Sequence, residues 1–189
     1  YLDMKLLVII PARYASTRFP AKPLAVLSGK LVVQRVYEQV AGILDDVVVA
    51  TDDKRIYDAV VGFGGKAVMT STEHRSGTDR CAEAFHKVGA DKYDVVVNIQ
   101  GDEPFIQAEQ IEALKKCFDD DATQIATLVK PLSEEDGAEV LDNVNIPKVV
   151  VDKNMYAMYF SRSVIPFVRG YEKNLWLKLH KYYRHIGIY

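Results

Sequence analysis

Long hydrophobic runs and cysteine-rich patterns are both missing from this sequence. No stretch approaches the roughly 18 apolar residues of a membrane-spanning helix, and no charged-then-apolar secretory signal opens the chain. Only two cysteines occur, Cys81 and Cys117, and they do not form a Cys-x-x-Cys pair. Because small secreted domains usually carry a framework of disulfides, we expect a reduced, cytoplasmic protein that does not bind membranes.

Several chemistry-bearing motifs are absent as well. The sequence has no Gly-x-x-x-x-Gly-Lys-Ser/Thr loop, which argues against a Walker-type nucleotidase. It has no Gly-x-Gly-x-x-Gly after its first strand, which argues against a nicotinamide dehydrogenase, and no Gly-x-Ser-x-Gly elbow for acyl-enzyme chemistry. The net charge of −2 predicts no nucleic-acid partner, so any site for a polyanion must be local.

Apolar runs and helical periodicities alternate along the first two thirds of the chain. The apolar runs are continuous, as in strands buried on both sides, and strands joined by helices imply a mostly parallel sheet with helices on both faces. The predicted strands are Leu6–Ile10, Val47–Thr51, Ala67–Met69, Asp94–Ile99 and Thr127–Val129. The predicted helices are Leu31–Ala41, Lys54–Phe63, Thr78–Val88 and Ala108–Phe118.

The pattern changes after about Asn143. The runs Lys148–Asp152 and Met155–Phe160 flank Lys153-Asn154, which predicts a hairpin. We therefore expect one α/β domain over residues 4–189, with residues 143–189 as a mixed β segment added to its sheet.

A basic loop follows the first predicted strand. The apolar run ends at Pro11, and the loop after it carries three cations, Arg13, Arg18 and Lys22. Arginine offers a planar fork to phosphate oxygens and lysine a compact charge, so the loop suits a triphosphate. An ordinary strand and loop with solvated cations is the alternative.

A carboxylate motif follows the strand near Val97. Gly101 permits a tight turn, and Asp102 and Glu103 come directly after it. Mg²⁺ is usually held by one or two carboxylates together with substrate phosphates. Although Gly-Asp is also common turn chemistry, cations and a carboxylate at neighbouring strand ends are the parts that phosphoryl transfer needs.

Two further polar sets stand out. Ser76 or Thr78 can cap the helix that follows Arg75, leaving free amides for an anion or a base, although a plain capped helix explains the pattern equally well. The second set lies near the end of the sequence and comprises Arg162, Arg184, His185 and Tyr189. These side chains could bind a carboxylate-bearing, hydroxyl-rich substrate, or they could be structural and solvated. His74, His86 and His180 show no metal-ligand spacing and are interpreted as structural or exposed.

Matches to one enzyme family run in order along nearly the whole chain. The sequence resembles the 3-deoxy-manno-octulosonate cytidylyltransferases, also called CMP-Kdo synthetases, and the matches separate it from the sialic acid cytidylyltransferases. The matching segments are Ile9–Leu24, Val49–Asp52, Met69–His74, Ser76–Arg80, Val97–Pro104, Lys148–Asp152, Tyr159–Arg162, Ile165–Pro166 and Arg184–Tyr189.

The resemblance implies a Rossmann-like nucleotide-diphospho-sugar transferase fold. It implies that CTP and 3-deoxy-D-manno-octulosonate (Kdo) react to give CMP-Kdo and pyrophosphate for lipopolysaccharide biosynthesis. It further implies Mg²⁺ as cofactor and a homodimer, with residues 143–189 contributing to the sugar site and the dimer.

The resemblance also assigns roles to individual residues. The implied catalytic residues are Arg13, Arg18, Lys22 and Asp102, of which Asp102 binds the metal. The implied nucleotide-binding residues are Ala12, Arg13, Ser76, Gly77, Arg80 and Gln100. The implied sugar-binding residues are Gln100, Arg162, His185 and Tyr189.

One departure from the family keeps other functions open. In the family a further stretch follows the strand at Arg184–Tyr189 and carries a second metal-binding aspartate and a sugar-contacting glutamate, and this sequence stops before both. We therefore expect the C-terminal part of the family domain to be missing here. The alternatives are a transferase for another acid sugar and a truncated nucleotide-binding domain without turnover.

Overall fold

The computed structural model describes residues 4–15 and 21–189, which form two compact units. The first unit comprises Tyr1–Ala122 and Ile188–Tyr189, and the second comprises Thr123–Gly187.

The first unit is built around a four-stranded parallel sheet. The strands of the unit, including two outside this sheet, are β1 (Leu6–Ala12), β2 (Val26–Leu27), β3 (Lys30–Leu31), β4 (Val47–Thr51), β5 (Ala67–Met69) and β6 (Val95–Asn98). Its helices are α1 (Val32–Ala41), α2 (Lys54–Gly62), α3 (Gly77–Val88) and α4 (Ala108–Cys117). The sheet order is β5-β4-β1-β6, and β2 and β3 form a small separate hairpin. The predicted parallel sheet is confirmed, with element ends shifted by one or two residues.

Helices cover both faces of this sheet. Leu7 and Ile9 of β1 pack with Cys81 and Ala84 of α3 on one face. Successive strand residues point to opposite faces, so Val8 directs its side chain to the other face, where α1 and α2 pack against β4. The central strands are therefore dry, and polar groups collect where the strands end.

The helices begin where the sequence supplies a cap. The Asp53 side chain accepts a hydrogen bond from Arg55 N at the start of α2, and Ser76 accepts one from Asp79 N at the start of α3. Helix α1 carries an apolar stripe at helical spacing, and the valines of this stripe, Val33, Val36 and Val40, are buried. Local sequence and packing thus agree throughout this unit.

The second unit contains an antiparallel sheet of its own. Its strands are β7 (Leu128–Pro131), β8 (Lys148–Val151), β9 (Ala157–Ser161) and β10 (Tyr183–Ile186), and a short helix, α5, spans Trp176–Leu179. The sheet order is β7-β10-β8-β9, and every pairing is antiparallel. The predicted hairpin is confirmed as β8 and β9. The expected attachment to the first sheet takes a different form: these strands form a sheet with one another, while Ile188 forms an antiparallel bridge with Ile99, just beyond the end of β6.

The fifth predicted strand likewise has a different partner. Residues near Thr127 do form β7, but β7 pairs with β10 rather than extending the parallel sheet. The core of this unit is a cluster of large side chains that includes Trp176, Tyr182 and Leu141. Among the described residues, no helix is long and apolar enough to cross a membrane.

Candidate functional site

A pocket opens at the carboxyl ends of β1 and β6 in the first unit. Its volume is about 220 Å³. The lining residues come from the loop after β1, the start of α3 and the turn after β6, as expected for a parallel sheet. They are Pro11, Ala12, Arg13, Lys22, Pro23, His74, Arg75, Ser76, Gly77, Arg80, Gln100, Gly101 and Asp102.

Most residues predicted for catalysis and nucleotide binding lie in this pocket. Arg13 and Lys22 line it, together with Asp102, whereas Arg18 lies outside the described residues. The Lys22 Nζ atom lies 2.6 Å from an Asp102 carboxylate oxygen, and both side chains are about half exposed. An ion pair that is this exposed contributes little to folding, so an arriving phosphate can compete for the lysine at low cost.

The Asp102 turn is held against β1 by a close backbone contact. A Cβ atom at Gly101 would lie 3.2 Å from the Pro11 carbonyl oxygen, and one at Gly77 would lie 3.4 Å from the Pro11 ring. Pro11 is thus flanked by two glycines, and a side chain at Gly101 would push the turn away from β1. The contact fixes the Asp102 turn relative to the end of β1.

A metal ion at this site would take some of its ligands from the protein and the others from the substrate. Among residues 4–15 and 21–189, no group of three or more histidine, cysteine, aspartate or glutamate side chains could hold a metal. The single exposed carboxylate of Asp102, beside cations suited to phosphate, matches the way Mg²⁺ is held jointly by protein and phosphate oxygens. The donor set therefore fits Mg²⁺ delivered with a nucleotide, and it does not fit a preformed metal cage.

The start of α3 faces the same pocket. The Ser76 hydroxyl donates to the Asp79 carboxylate at 2.7 Å and accepts from Asp79 N at 3.1 Å, which closes the cap. The first intrahelical bond runs from Arg80 N to Ser76 O, so the amides of Gly77 and Thr78 are left for solvent or a ligand. Such amides are suited to an anion or to the acceptor atoms of a base.

Arg80 is a buried cation beneath this helix start. Its guanidinium donates to the Asp52 carboxylate at 2.6 Å and to the Thr70 hydroxyl at 2.5 Å. The side chain is only 3% exposed and that of Asp52 is 17% exposed, so the pair fixes the guanidinium at the pocket. The sequence places Asp52 at a strand end but gives no signal that it pairs with Arg80.

A histidine that sequence reasoning set aside also lines the pocket. The His74 ring nitrogen Nε2 contacts the Glu83 carboxylate of α3. Hydrogen bonds from Lys87, from Ser71 N and from His74 lower the pKa of Glu83 to about 2. An ionised Glu83 therefore orients the His74 ring, and the only sequence signal for this was the nine-residue spacing from loop to helix face.

Gln100 and Tyr189, both predicted to contact the sugar, meet through Asn98. Tyr189 exchanges backbone hydrogen bonds with Asn98, and the Gln100 amide donates to the Asn98 side-chain oxygen at 3.3 Å. Asn98 is 4% exposed, and its Nδ2 atom has no hydrogen-bond partner among the described residues. Sequence reasoning treated Asn98 only as a strand residue.

The other two predicted sugar-binding residues are neighbours in the second unit. The His185 Nε2 atom lies 2.8 Å from the Thr127 hydroxyl, and the edge of the Phe160 ring faces the imidazole. Burial lowers the pKa of His185, and the nearby charge of Arg162 lowers it further. The Arg162 guanidinium donates to the Val144 carbonyl at 3.0 Å.

Known proteins share both this sequence and this fold. The cytidylyltransferase family model matches residues 7–189. The 3-deoxy-manno-octulosonate cytidylyltransferase of Phocaeicola vulgatus is 72% identical over 98% of this chain and 73% of its own length. The enzyme of the same name from Bacteroides thetaiotaomicron is 68% identical over 98% of this chain and 74% of its own.

A solved structure agrees with these relatives. It is that of CMP:2-keto-3-deoxy-manno-octonic acid synthetase complexed with CTP. It is 43% identical, covers 97% of this chain and 72% of its own, and superposes with a TM-score of 0.85. Matches of this extent confirm the Rossmann-like nucleotidyltransferase fold. This chain belongs to the 3-deoxy-manno-octulosonate cytidylyltransferase family.

Proposed function

We propose that this protein transfers CMP from CTP to Kdo, giving CMP-Kdo and pyrophosphate, and so supplies lipopolysaccharide biosynthesis. The observation that carries the proposal is the pocket, in which a basic loop, a helix start and Asp102 meet at neighbouring strand ends. The relatives named for this activity, at up to 72% identity, support the choice of CTP and of the acid sugar.

The reaction is an in-line displacement at phosphorus. The anomeric hydroxyl oxygen of Kdo forms a bond to the α-phosphorus of CTP, the bond from that phosphorus to the bridging oxygen breaks, and pyrophosphate leaves. The hydroxyl proton passes to solvent. No covalent enzyme intermediate is needed, so catalysis rests on positioning and on stabilising charge.

The described cations suit the leaving group. Arg13 and Lys22 would bind triphosphate oxygens and stabilise the charge that develops on pyrophosphate. We propose the same role for Arg18, because the sequence places it in the basic loop. Because Lys22 is paired with Asp102, we expect phosphate binding to separate the pair and release the carboxylate.

The residues proposed to bind the nucleotide and those proposed to bind the sugar differ, apart from Gln100. We assign cytosine to Ser76, Gly77 and Arg80, and other parts of the nucleotide to Ala12 and Gln100; all five residues line the pocket. Gln100 also serves the sugar in this proposal, together with Arg162, His185 and Tyr189. A guanidinium, an imidazole, an amide and a phenol suit the carboxylate and the hydroxyls of Kdo.

Mg²⁺ is the cofactor we propose, with Asp102 as its protein ligand. A bound ion would supply charge neutralisation at the phosphates and would make the attacking hydroxyl more acidic. The half-exposed carboxylate leaves room for phosphate and water oxygens in the same coordination shell.

We also propose a cytoplasmic homodimer. Both cysteines lie within the described residues and neither forms a disulfide, which suits a reducing compartment. Strand β9 exposes apolar side chains, with Met158 at 68% and Tyr159 at 60% exposure, and such an edge favours association. Light scattering after size-exclusion chromatography tests this, and a monomer at working concentration would remove the dimer from the proposal.

Pyrophosphate release tests the activity itself. Purified protein is mixed with CTP, Mg²⁺ and Kdo, and each is omitted in turn. Release that requires all three supports the proposal, and replacing CTP by UTP or GTP should abolish it. CTP binding without release would identify a nucleotide-binding domain, and release with a different acid sugar alone would identify another transferase.

A further inference from the structure

Lys148 is a fully buried amine at the start of β8 in the second unit. Its Nζ atom donates to the carbonyl oxygens of Asn143 at 2.9 Å, Ile146 at 2.8 Å and Arg162 at 3.1 Å. An ammonium group has three N–H donors, so each of them has a partner in this cage. The cage is defined by these three carbonyl oxygens.

The cage surrounds a charged group at a position where burying an apolar side chain would cost less free energy. Burial lowers the pKa of Lys148, since the charged form is disfavoured away from water, while the charge of Asp142 acts in the opposite direction. The three direct partners are neutral carbonyls. Burying a lysine ammonium without a direct carboxylate partner costs folding free energy. We therefore expect Lys148 to have a role that methionine or leucine could not fulfil.

The carbonyls of the cage come from two segments that also hold Arg162. Asn143 and Ile146 lie in the loop before β8, and Arg162 follows the last residue of β9. The Arg162 guanidinium in turn donates to Val144, inside the same loop, at 3.0 Å. The ammonium therefore fixes both the backbone of Arg162 and the loop that anchors its side chain.

The same segment reaches His185. The His185 amide donates to the carbonyl of Pro147 at 2.9 Å, and Pro147 directly precedes Lys148. Arg162 lies close enough for its charge to act on the imidazole. A shift of the loop would therefore change the geometry of both residues.

We propose that Lys148 is a positioning residue for the acid-sugar subsite: its ammonium sets the loop and the strand end that place Arg162 beside His185. The inference rests on the proposed function, which assigns these two residues to the sugar. It predicts a loss confined to the sugar, because the nucleotide pocket is built from other residues.

Lys148→Met in the full chain is the first test. The variant keeps most of the side-chain volume and removes the three donors. We expect KM for Kdo to rise by about tenfold or more, as for a misplaced positioning group, with KM for CTP unchanged. Lys153→Met is the matched control, since Lys153 is an exposed lysine in the turn between β8 and β9, and it should leave both constants unchanged.

The imidazole of His185 supplies a readout other than activity. In the wild type its pKa lies below the ordinary value, partly because of Arg162. If Lys148 holds Arg162 in place, NMR titration of Lys148→Met should show the pKa of His185 moving upward. A folded Lys148→Met protein with wild-type Kdo kinetics and an unmoved His185 titration would overturn the inference.

Two further measurements cover a variant that does not fold. Lys148→Arg keeps the charge and the donors, and should show a smaller, still sugar-selective rise in KM; an equal change for CTP contradicts the inference. In the wild type, Kdo should shift the ammonium resonance of Lys148 and leave that of Lys153 in place, and no shift contradicts it. Failure of the proposed function differs from all of these, because the wild type itself would release no pyrophosphate.

Discussion

The two units of this chain keep their polar groups in opposite places. In the first unit β1 is apolar throughout, and the described candidate catalytic residues Arg13, Lys22 and Asp102 lie beyond the strand ends. In the second unit His185 lies within β10, and the charged amine of Lys148 is buried in β8. The parallel sheet thus positions its site from outside, whereas the antiparallel sheet builds polar groups into its own framework.

This contrast predicts different costs of substitution. Groups at exposed strand ends contribute little to folding, so changing them should affect activity alone. Groups inside a framework carry desolvation costs that hydrogen bonds offset, so changing them should affect stability as well. Arg80 and Asp52 are the exception in the first unit, because their ion pair is buried next to the pocket.

The most severe loss of activity is expected from Asp102→Asn. Removing the carboxylate charge should lower kcat by about a thousandfold, the scale seen when transition-state charge loses its stabiliser. Circular dichroism and the melting temperature should stay unchanged, since Asp102 is half exposed. The control is Asp91→Asn, an exposed aspartate away from the pocket. Near-normal turnover of the Asp102 variant would remove its metal role.

The greatest loss of stability in the first unit is expected from Asp52→Asn. It leaves the buried Arg80 charge without its carboxylate, which typically costs about 3 kcal/mol of the free energy of unfolding. Urea unfolding measures the change. Asp58→Asn is the control, because the exposed pair of Asp58 with Lys54 contributes about 0.5 kcal/mol or less. Equal losses in the two variants would mean that the Arg80 pair is not buried in solution.

A smaller, purely functional effect is expected from Lys22→Met. Loss of one phosphate-binding cation should lower kcat/KM for CTP by about tenfold, the equivalent of one charge-assisted hydrogen bond. Lys30→Met is a close match, since Lys30 pairs with Glu38 at similar exposure but lies outside the pocket. Should both variants handle CTP alike, the basic loop would lose its assigned role.

The subtlest effect concerns His185 and pH. Burial and Arg162 lower its pKa, so the unfolded chain binds the proton more readily than the folded protein. Its contribution to stability is full above the ordinary pKa of 6.5 and is lost as the pH falls through the lowered value. The melting temperature of the wild type should fall between about pH 8 and about pH 5, and His185→Gln should reduce that fall. A variant with the same pH dependence as the wild type would show that other groups account for it.

Local pattern was enough to predict the parallel sheet and the helices of the first unit, but it missed the short hairpin of β2 and β3. Its strands are continuous apolar runs such as Val47–Thr51, and its helices carry periodic stripes and caps, so each element shows its type within a short window. The position of the site followed from the rule that ligands bind beyond the carboxyl ends of parallel strands.

Local pattern could not predict the pairings between residues that are far apart in the sequence. The partner of β7 is β10, more than 50 residues away, and nothing near Thr127 indicates that choice. Likewise, Lys148 looks like the polar first residue of a strand, and its burial depends on carbonyls brought in by a loop and by β9. Arg80 was expected at the nucleotide, but its link to Asp52 spans 28 positions.

Pro11, flanked by Gly77 and Gly101, has a thermodynamic consequence for binding. Neither glycine has a side chain and the proline ring is nearly rigid, so this part of the pocket has almost no rotamers to lose when a ligand arrives. Ordering of interface side chains is a regular cost of association. We therefore expect the entropy penalty measured by calorimetry of CTP binding to come from ordering the long side chains of the basic loop. Pro11, Gly77 and Gly101 should contribute almost none of it.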